Sequence, residues 1–133
     1  MIEKIHHIGI AVHSLDEALK FYRDTLGLPV HASATVEDQG VKAALLTIGE
    51  SEIELLEPLS PESGVGKFLE RKGEGLHHIC FQTSDVAAEL AGLKAKGVQL
   101  IDEKPRRGLA GMIGFLHPKA SRGTLVELAT PVE

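Results

Sequence analysis

Apolar and polar positions alternate with a period of two through "HHIGIAV" near the start of the chain. Ile8, Ile10 and Val12 fall on one face and His7, Gly9 and Ala11 on the other, the pattern of a half-buried strand. The period then changes. Leu15, Ala18, Leu19, Tyr22 and Leu26 form a stripe at helical spacing, entered through a capping box of Ser14 and Glu17 and stopped by Gly27. "PVHASATVE", "VKAALLTIG" and "EIELLEP" return to strand patterning, separated by turn signals at "DQG" and "GES". A connecting segment follows, with a short helix expected from about Ser63 to Lys72.

The order then repeats. "LHHICFQT" predicts a strand with Ile79, Phe81 and Thr83 on one face and His78, Cys80 and Gln82 on the other. "SDVAAELAGLKAKG" predicts a helix capped at Ser84 and closed by Gly97, with Val86, Leu90 and Leu93 inward. "VQLIDEKP", "MIGFLHP" and "GTLVELATP" predict three further strands. The spacing supports a duplication. His7 and His78 lie 71 residues apart and Glu54 and Glu127 lie 73 apart, while His-to-Glu intervals within the halves are 47 and 49. The predicted class is α+β: one domain, 1–133, of two βαβββ modules (1–59 and 76–133) joined by a linker at 60–75.

The faces carry the chemistry. Ile53 and Leu55 share the apolar face of their strand, so Glu54 points the other way; Val126 and Leu128 do the same to Glu127. If the apolar faces pack on the helices, His7, Glu54, His78 and Glu127 all project from the opposite faces. Two imidazoles and two carboxylates suit a divalent first-row metal. Imidazole favours zinc, cobalt, nickel or iron, and added carboxylates with open positions favour a six-coordinate catalytic site. Carboxylates brought together in a pocket also repel unless a cation or proton intervenes. Taken singly, each of these residues would read as an ordinary core, rim or solvated side chain; their matched positions in the two repeats carry the prediction.

Composition narrows the class. The chain has 133 residues, 43% hydrophobic and 25% charged, with a net charge of −5, which fits a globular protein and argues against nucleic-acid binding. No apolar run approaches the ~20 residues that span a bilayer, and no basic and apolar leader pattern opens the sequence. The single cysteine, Cys80, forms no intrachain disulfide and fits a reducing cytoplasm. By alternation Cys80 faces the pocket side as a small filler. His6 and His77 turn away from the site as rim or structural residues.

"HHIGIAV", "EIELLEP", "GLHHICF" and above all "FLHPKASRGTLVEL" resemble the vicinal-oxygen-chelate (glyoxalase/bleomycin-resistance/dioxygenase) superfamily and, within it, the methylmalonyl-CoA epimerase family. The resemblance covers essentially the whole chain. It implies a cupped mixed sheet around one metal site, with His7, His78 and Glu127 as ligands and Glu54 where the family places its fourth ligand, a glutamine in some members. The metal is commonly cobalt (Co2+), with Zn2+, Ni2+ or Mn2+ as alternatives, in a homodimer; the cytoplasmic location is the expectation drawn from Cys80. The implied activity is that of an isomerase interconverting (2R)- and (2S)-methylmalonyl-CoA by proton transfer at C2 through a metal-stabilised enolate. Glu127 would be both ligand and catalytic base.

Gln82, His117 and Lys119 are candidate substrate-binding residues, and Arg106 and Arg107 candidate partners of the CoA phosphates. One position departs from the family pattern. A glutamate that follows the "QGV" turn in the best-described members is here Ala43, so the second acid–base group is open among Glu37, Asp38, Lys42 and a metal-bound water. Two other readings stay in view. A glyoxalase I-type lactoylglutathione lyase suits Glu54, although glyoxalases typically carry an acidic "DPDG"-like turn where this chain has "HPKASRG". A non-catalytic binder of the same fold commonly loses metal ligands that this sequence keeps.

Overall fold

Helix-to-sheet packing orients His7, Glu54, His78 and Glu127 in this computed structural model, which describes residues 1–131. The elements run β1 (Ile2–Ala11), α1 (Leu15–Leu19), β2 (Val30–Val36), β3 (Val41–Ile48), β4 (Ser51–Pro58), α2 (Gly64–Lys72) and β5 (Gly75–Thr83). They continue with α3 (Val86–Ala95), β6 (Arg106–Gly108), β7 (Gly111–Leu116) and β8 (Val126–Thr130). The architecture is α+β. Two compact units emerge, a first of His7–His77 and a second of Met1–His6 with the segment from His78 onward. The predicted second module ends at 133, and its last two residues lie outside the described ones.

In the first unit the strand order is β2-β3-β4-β1. β1 runs parallel to β4, with Gly9 opposite Glu54, and β4 runs antiparallel to β3, with Leu45 opposite Glu54 and Leu56 opposite Ala43. Val12, Leu15, Ala44, Leu46 and Leu55 bury the helix-side core, joined by Ile10, Ala18, Leu19, Tyr22 and Ile53. Ser14 caps α1 by accepting the Glu17 N–H at 3.2 Å, and Glu57 on β4 accepts the Leu15 N–H at 2.7 Å. The helix differs from expectation beyond its first turns. Lys20–Thr25 is π-helical, and its wider turn throws the stripe out of phase. Leu26 is consequently exposed, and Leu28 packs on the core instead.

In the second unit the order is β1-β5-β8-β7-β6. β5 and β8 run parallel, with Cys80 opposite Glu127; β7 and β8 run antiparallel, with Phe115 opposite Glu127. Val86 and Leu90 of α3 pack on Leu116, Val126 and Leu128. The cap of α3 is Asp85, one residue later than expected: its Oδ1 accepts the Ala88 N–H at 3.1 Å. "VQLIDEKP" does not form the predicted strand. Leu100 makes an isolated bridge to Leu116, and the next strand is β6. Two features explain this. The Asp102 side chain, at 2.9 Å, accepts the Phe115 N–H that a ladder partner would use, and Pro105 has no N–H to offer. Among the described residues no helix is long and apolar enough to cross a membrane.

Leu90 is fully buried, and a Cβ built on Gly114 would stand 2.8 Å from its Cδ1. Leu90→Ala should cost about 2–5 kcal/mol of unfolding free energy and Gly114→Ala about 1–3. The double variant should lose less than the sum, because the new methyl enters the vacated space; urea unfolding of the four proteins measures this coupling.

Candidate metal centre

Each unit presents a buried histidine and glutamate on the sheet face away from its helix. In the first unit His7 Nε2 lies 3.2 Å from Glu54 Oε1. In the second, His78 Nε2 lies 3.0 Å from Glu127 Oε1. His7 is fully buried, and Glu54, His78 and Glu127 are 6%, 5% and 3% exposed. Alternation produces this: Ile53 and Leu55, like Val126 and Leu128, hold their strands' other faces against the helix-side cores. A one-residue register slip would carry each glutamate to the helix side.

The surroundings of the two glutamates match position for position. Glu54 is flanked across its neighbouring strands by Gly9 and Leu45, and Glu127 by Cys80 and Phe115. Each histidine lies two residues before the flanking residue on its own strand, His7 before Gly9 and His78 before Cys80. The imidazole nitrogens and carboxylate oxygens form a hard and borderline donor set suited to a divalent first-row cation. Metal–ligand bonds near 2.1 Å place adjacent octahedral donors about 3 Å apart, in line with both observed Nε2–Oε1 separations.

The remaining candidates have identifiable positions. Gln82 lies on the same face of β5 as His78 and donates from Nε2 to Glu3 at 3.1 Å. His117 caps the 3-10 turn Pro118–Ser121, its Nδ1 accepting the Lys119 N–H at 3.0 Å, while Lys119 itself is exposed. Arg106 is part-buried and Arg107 exposed. Cys80 is fully buried among Ala110, Ile113, Phe115 and Ala129, as a filler would be. His77 is half-buried with its ring edge-on to Phe68 at 4.9 Å. Of the two roles expected of His6, rim or structural, its 7% exposure makes it a buried structural residue. Glu37 and Asp38 lie on the exposed 3-10 turn after β2, and Lys42 is exposed on the opposite face of β3 from buried Ala43.

Phe115 is a site residue that the sequence pattern did not single out. Its ring meets the His78 imidazole edge-to-face at 5.7 Å, and the Arg106 guanidinium lies 5.7 Å from its centroid. Asp102 anchors both partners, accepting the Phe115 N–H and pairing with Arg106 Nε at 3.3 Å. The signal was the β7–β8 register that sets Phe115 opposite Glu127, which alternation within one strand does not contain. A second missed pair is His31 and Glu52, 2.7 Å apart, created where a register shift in β2 turns His31 toward β4.

A sequence profile of the Glyoxalase/Bleomycin resistance protein/Dioxygenase superfamily matches residues 6–115. The ethylmalonyl-CoA/methylmalonyl-CoA epimerase of Cereibacter sphaeroides is 40% identical over 131 residues, covering 96% of this chain and 98% of that protein. The solved structure of a methylmalonyl-CoA epimerase in complex with methylmalonyl-CoA and NH4+ superposes with a TM-score of 0.95 at 46% identity, over 99% of this chain and 96% of that one. A variant of the Streptomyces coelicolor methylmalonyl-CoA epimerase in complex with 2-nitronate-propionyl-CoA gives the same TM-score, 0.95, and the same identity, 46%, again over 99% and 96% of the two chains. The chain therefore belongs to the glyoxalase/bleomycin resistance protein/dioxygenase superfamily and, within it, to the methylmalonyl-CoA epimerase family.

Proposed function

We propose that this protein is a metal-dependent methylmalonyl-CoA epimerase in which His7, Glu54, His78 and Glu127 together hold one divalent ion. The observation that carries this reading is the matched pair of buried His–Glu contacts, 3.2 and 3.0 Å, one in each repeat. Support comes from the relatives, whose names give methylmalonyl-CoA as substrate or bound ligand. Cobalt as the native ion, a homodimer and a cytoplasmic location complete the proposal, the first two by likeness to the family and the third from the single buried cysteine.

Epimerisation removes the C2 proton from one face of the thioester and returns a proton to the other, so negative charge develops on the thioester oxygen. A bound divalent ion supplies Lewis-acid stabilisation of that charge. Glu127 exchanges a proton with C2 from one side. Its burial between Cys80 and Phe115 excludes water and keeps the carboxylate weakly solvated and reactive. Phe115 holds the His78 ring in place, and Arg106 lies behind Phe115, paired with Asp102. Gln82, His117, Lys119 and Arg107 are the further residues assigned to binding the acyl-CoA.

The protein loaded with Co2+ and incubated with methylmalonyl-CoA in deuterated water should lose the C2 proton signal in NMR. Absence of wash-in with Co2+, Zn2+, Ni2+ and Mn2+ alike, alongside turnover of the glutathione hemithioacetal of methylglyoxal, would make it a lyase of the glyoxalase type instead. His78→Ala should weaken Co2+ binding by more than the roughly 10–100-fold typical of losing a group that merely supports a ligand. Titration calorimetry reads this directly, and unchanged affinity would remove His78 from the metal site.

A further inference from the structure

The stretch 98–105, where strand patterning fails, contains a carboxylate that does more than replace one ladder bond. Asp102 grips the backbone of Phe115 at both polar groups. Its Oδ2 accepts the Phe115 N–H at 2.9 Å, and its own N–H donates to the Phe115 carbonyl at 3.1 Å. The Ile101 N–H donates to the same carbonyl at 2.9 Å. The other oxygen of Asp102, Oδ1, lies 3.3 Å from Arg106 Nε. One side chain therefore ties together the backbone of β7 and the guanidinium of β6.

Register carries that tie across the second unit to a histidine. Arg106 stands opposite Ile113, two residues before Phe115, so Arg106 and Phe115 are diagonal neighbours on the face that also bears Glu127. The guanidinium carbon lies 5.7 Å from the centre of the Phe115 ring, inside the ~6 Å range over which a ring face attracts a cation. The same ring meets the His78 imidazole edge-to-face, with centroids 5.7 Å apart and planes at 82°. His78 Nε2 in turn faces Glu127 Oε1 at 3.0 Å. The first unit is built differently at the matching positions. Leu45 stands opposite Glu54 where Phe115 stands opposite Glu127, and Ala34, opposite Ala43, takes the place of Arg106 opposite Ile113. Leucine and alanine offer neither a ring nor a cation.

Resting on the metal-centre reading above, we propose that Asp102 and Arg106 are positioning residues that set the His78 imidazole through Phe115. Asp102 fixes the place of Phe115 in β7, and Arg106 fixes the attitude of its ring. The ring then restricts rotation of His78. An imidazole nitrogen binds an ion through a lone pair in the ring plane, so a rotated ring aims past it. Arg106 thereby serves the imidazole, and the CoA phosphates fall to other residues.

The test begins with the metal-free protein. Arg106→Gln should shift the His78 ring-proton resonances in NMR, since the Phe115 ring current acts on them. Its Co2+ affinity by calorimetry should fall about 10-fold or more, the loss typical of removing a group that orients a ligand. Arg106→Lys keeps a cation for Asp102 and the ring, and should recover most of that affinity. Phe115→Leu should reproduce the loss, and combining it with Arg106→Gln should add little, because the two act in series. With methylmalonyl-CoA, Arg106→Gln should lower kcat and leave KM unchanged. Parent-like His78 resonances and Co2+ affinity beside a lowered urea midpoint would reduce Arg106 to a structural role and overturn the proposal. Additive losses in the double variant, or a raised KM at unchanged kcat, would overturn it as well. No Co2+ binding by the parent would sink the metal reading instead, and the metal-free resonances would still decide the positioning of His78.

Discussion

A carboxylate buried in the middle of a sheet is the constraint on which the rest of this structure depends. Removing an ionised group from water costs several kcal/mol even after the surroundings relax, unless a partner compensates. Glu54 and Glu127 are both placed at such positions, and each faces an imidazole nitrogen at close range. Their strands can hold them there because the opposite faces are fixed by leucine, isoleucine and valine packed on helices. Core and site are therefore two sides of one requirement. The same alternation that buries Leu55 and Leu128 aims Glu54 and Glu127.

The elements and faces were legible in the sequence because a period of two is a local property. Placing His7, Glu54, His78 and Glu127 away from the helices needed only their immediate neighbours. Register is not local, and most of what was missed depends on it. Phe115 became a site residue only through its pairing opposite Glu127, and His31 reaches Glu52 only through a shift in the β2–β3 ladder. The failure at 98–105 has another cause: the Asp102 side chain competes for a backbone donor, a choice that strand propensity does not register. The misplaced cap is a near tie, since Ser84 and Asp85 are both good capping residues. Alternation left His6 open between a rim and a structural role because it describes a sheet with one wet face, and in this strand adjacent residues are both buried.

The superfamily fold recurs with unrelated activities, so the chemistry rests on which side chains occupy a small number of positions on one face. This chain has nitrogen and oxygen donors at all four repeat-related positions, and alanine at 43, where the family resemblance implies a further carboxylate. A duplicated module makes the matched donors simple to accommodate. A residue type already accommodated in one repeat, with its imidazole partner and apolar flanks, is tolerated at the matching position of the other, where the local packing problem has already been solved.

The strand β1 has a consequence for how such a chain can be divided. Its first residues, through His6, belong to the second unit, and those from His7 onward belong to the first. The repeat seen in the sequence breaks between 59 and 76, whereas the boundary in space runs through the peptide bond between two adjacent histidines. A fragment cut at the sequence repeat would strip β5 of the strand beside it and expose an open edge, the kind of surface that recruits other chains and aggregates. The halves are duplicates in pattern, yet neither is a detachable part.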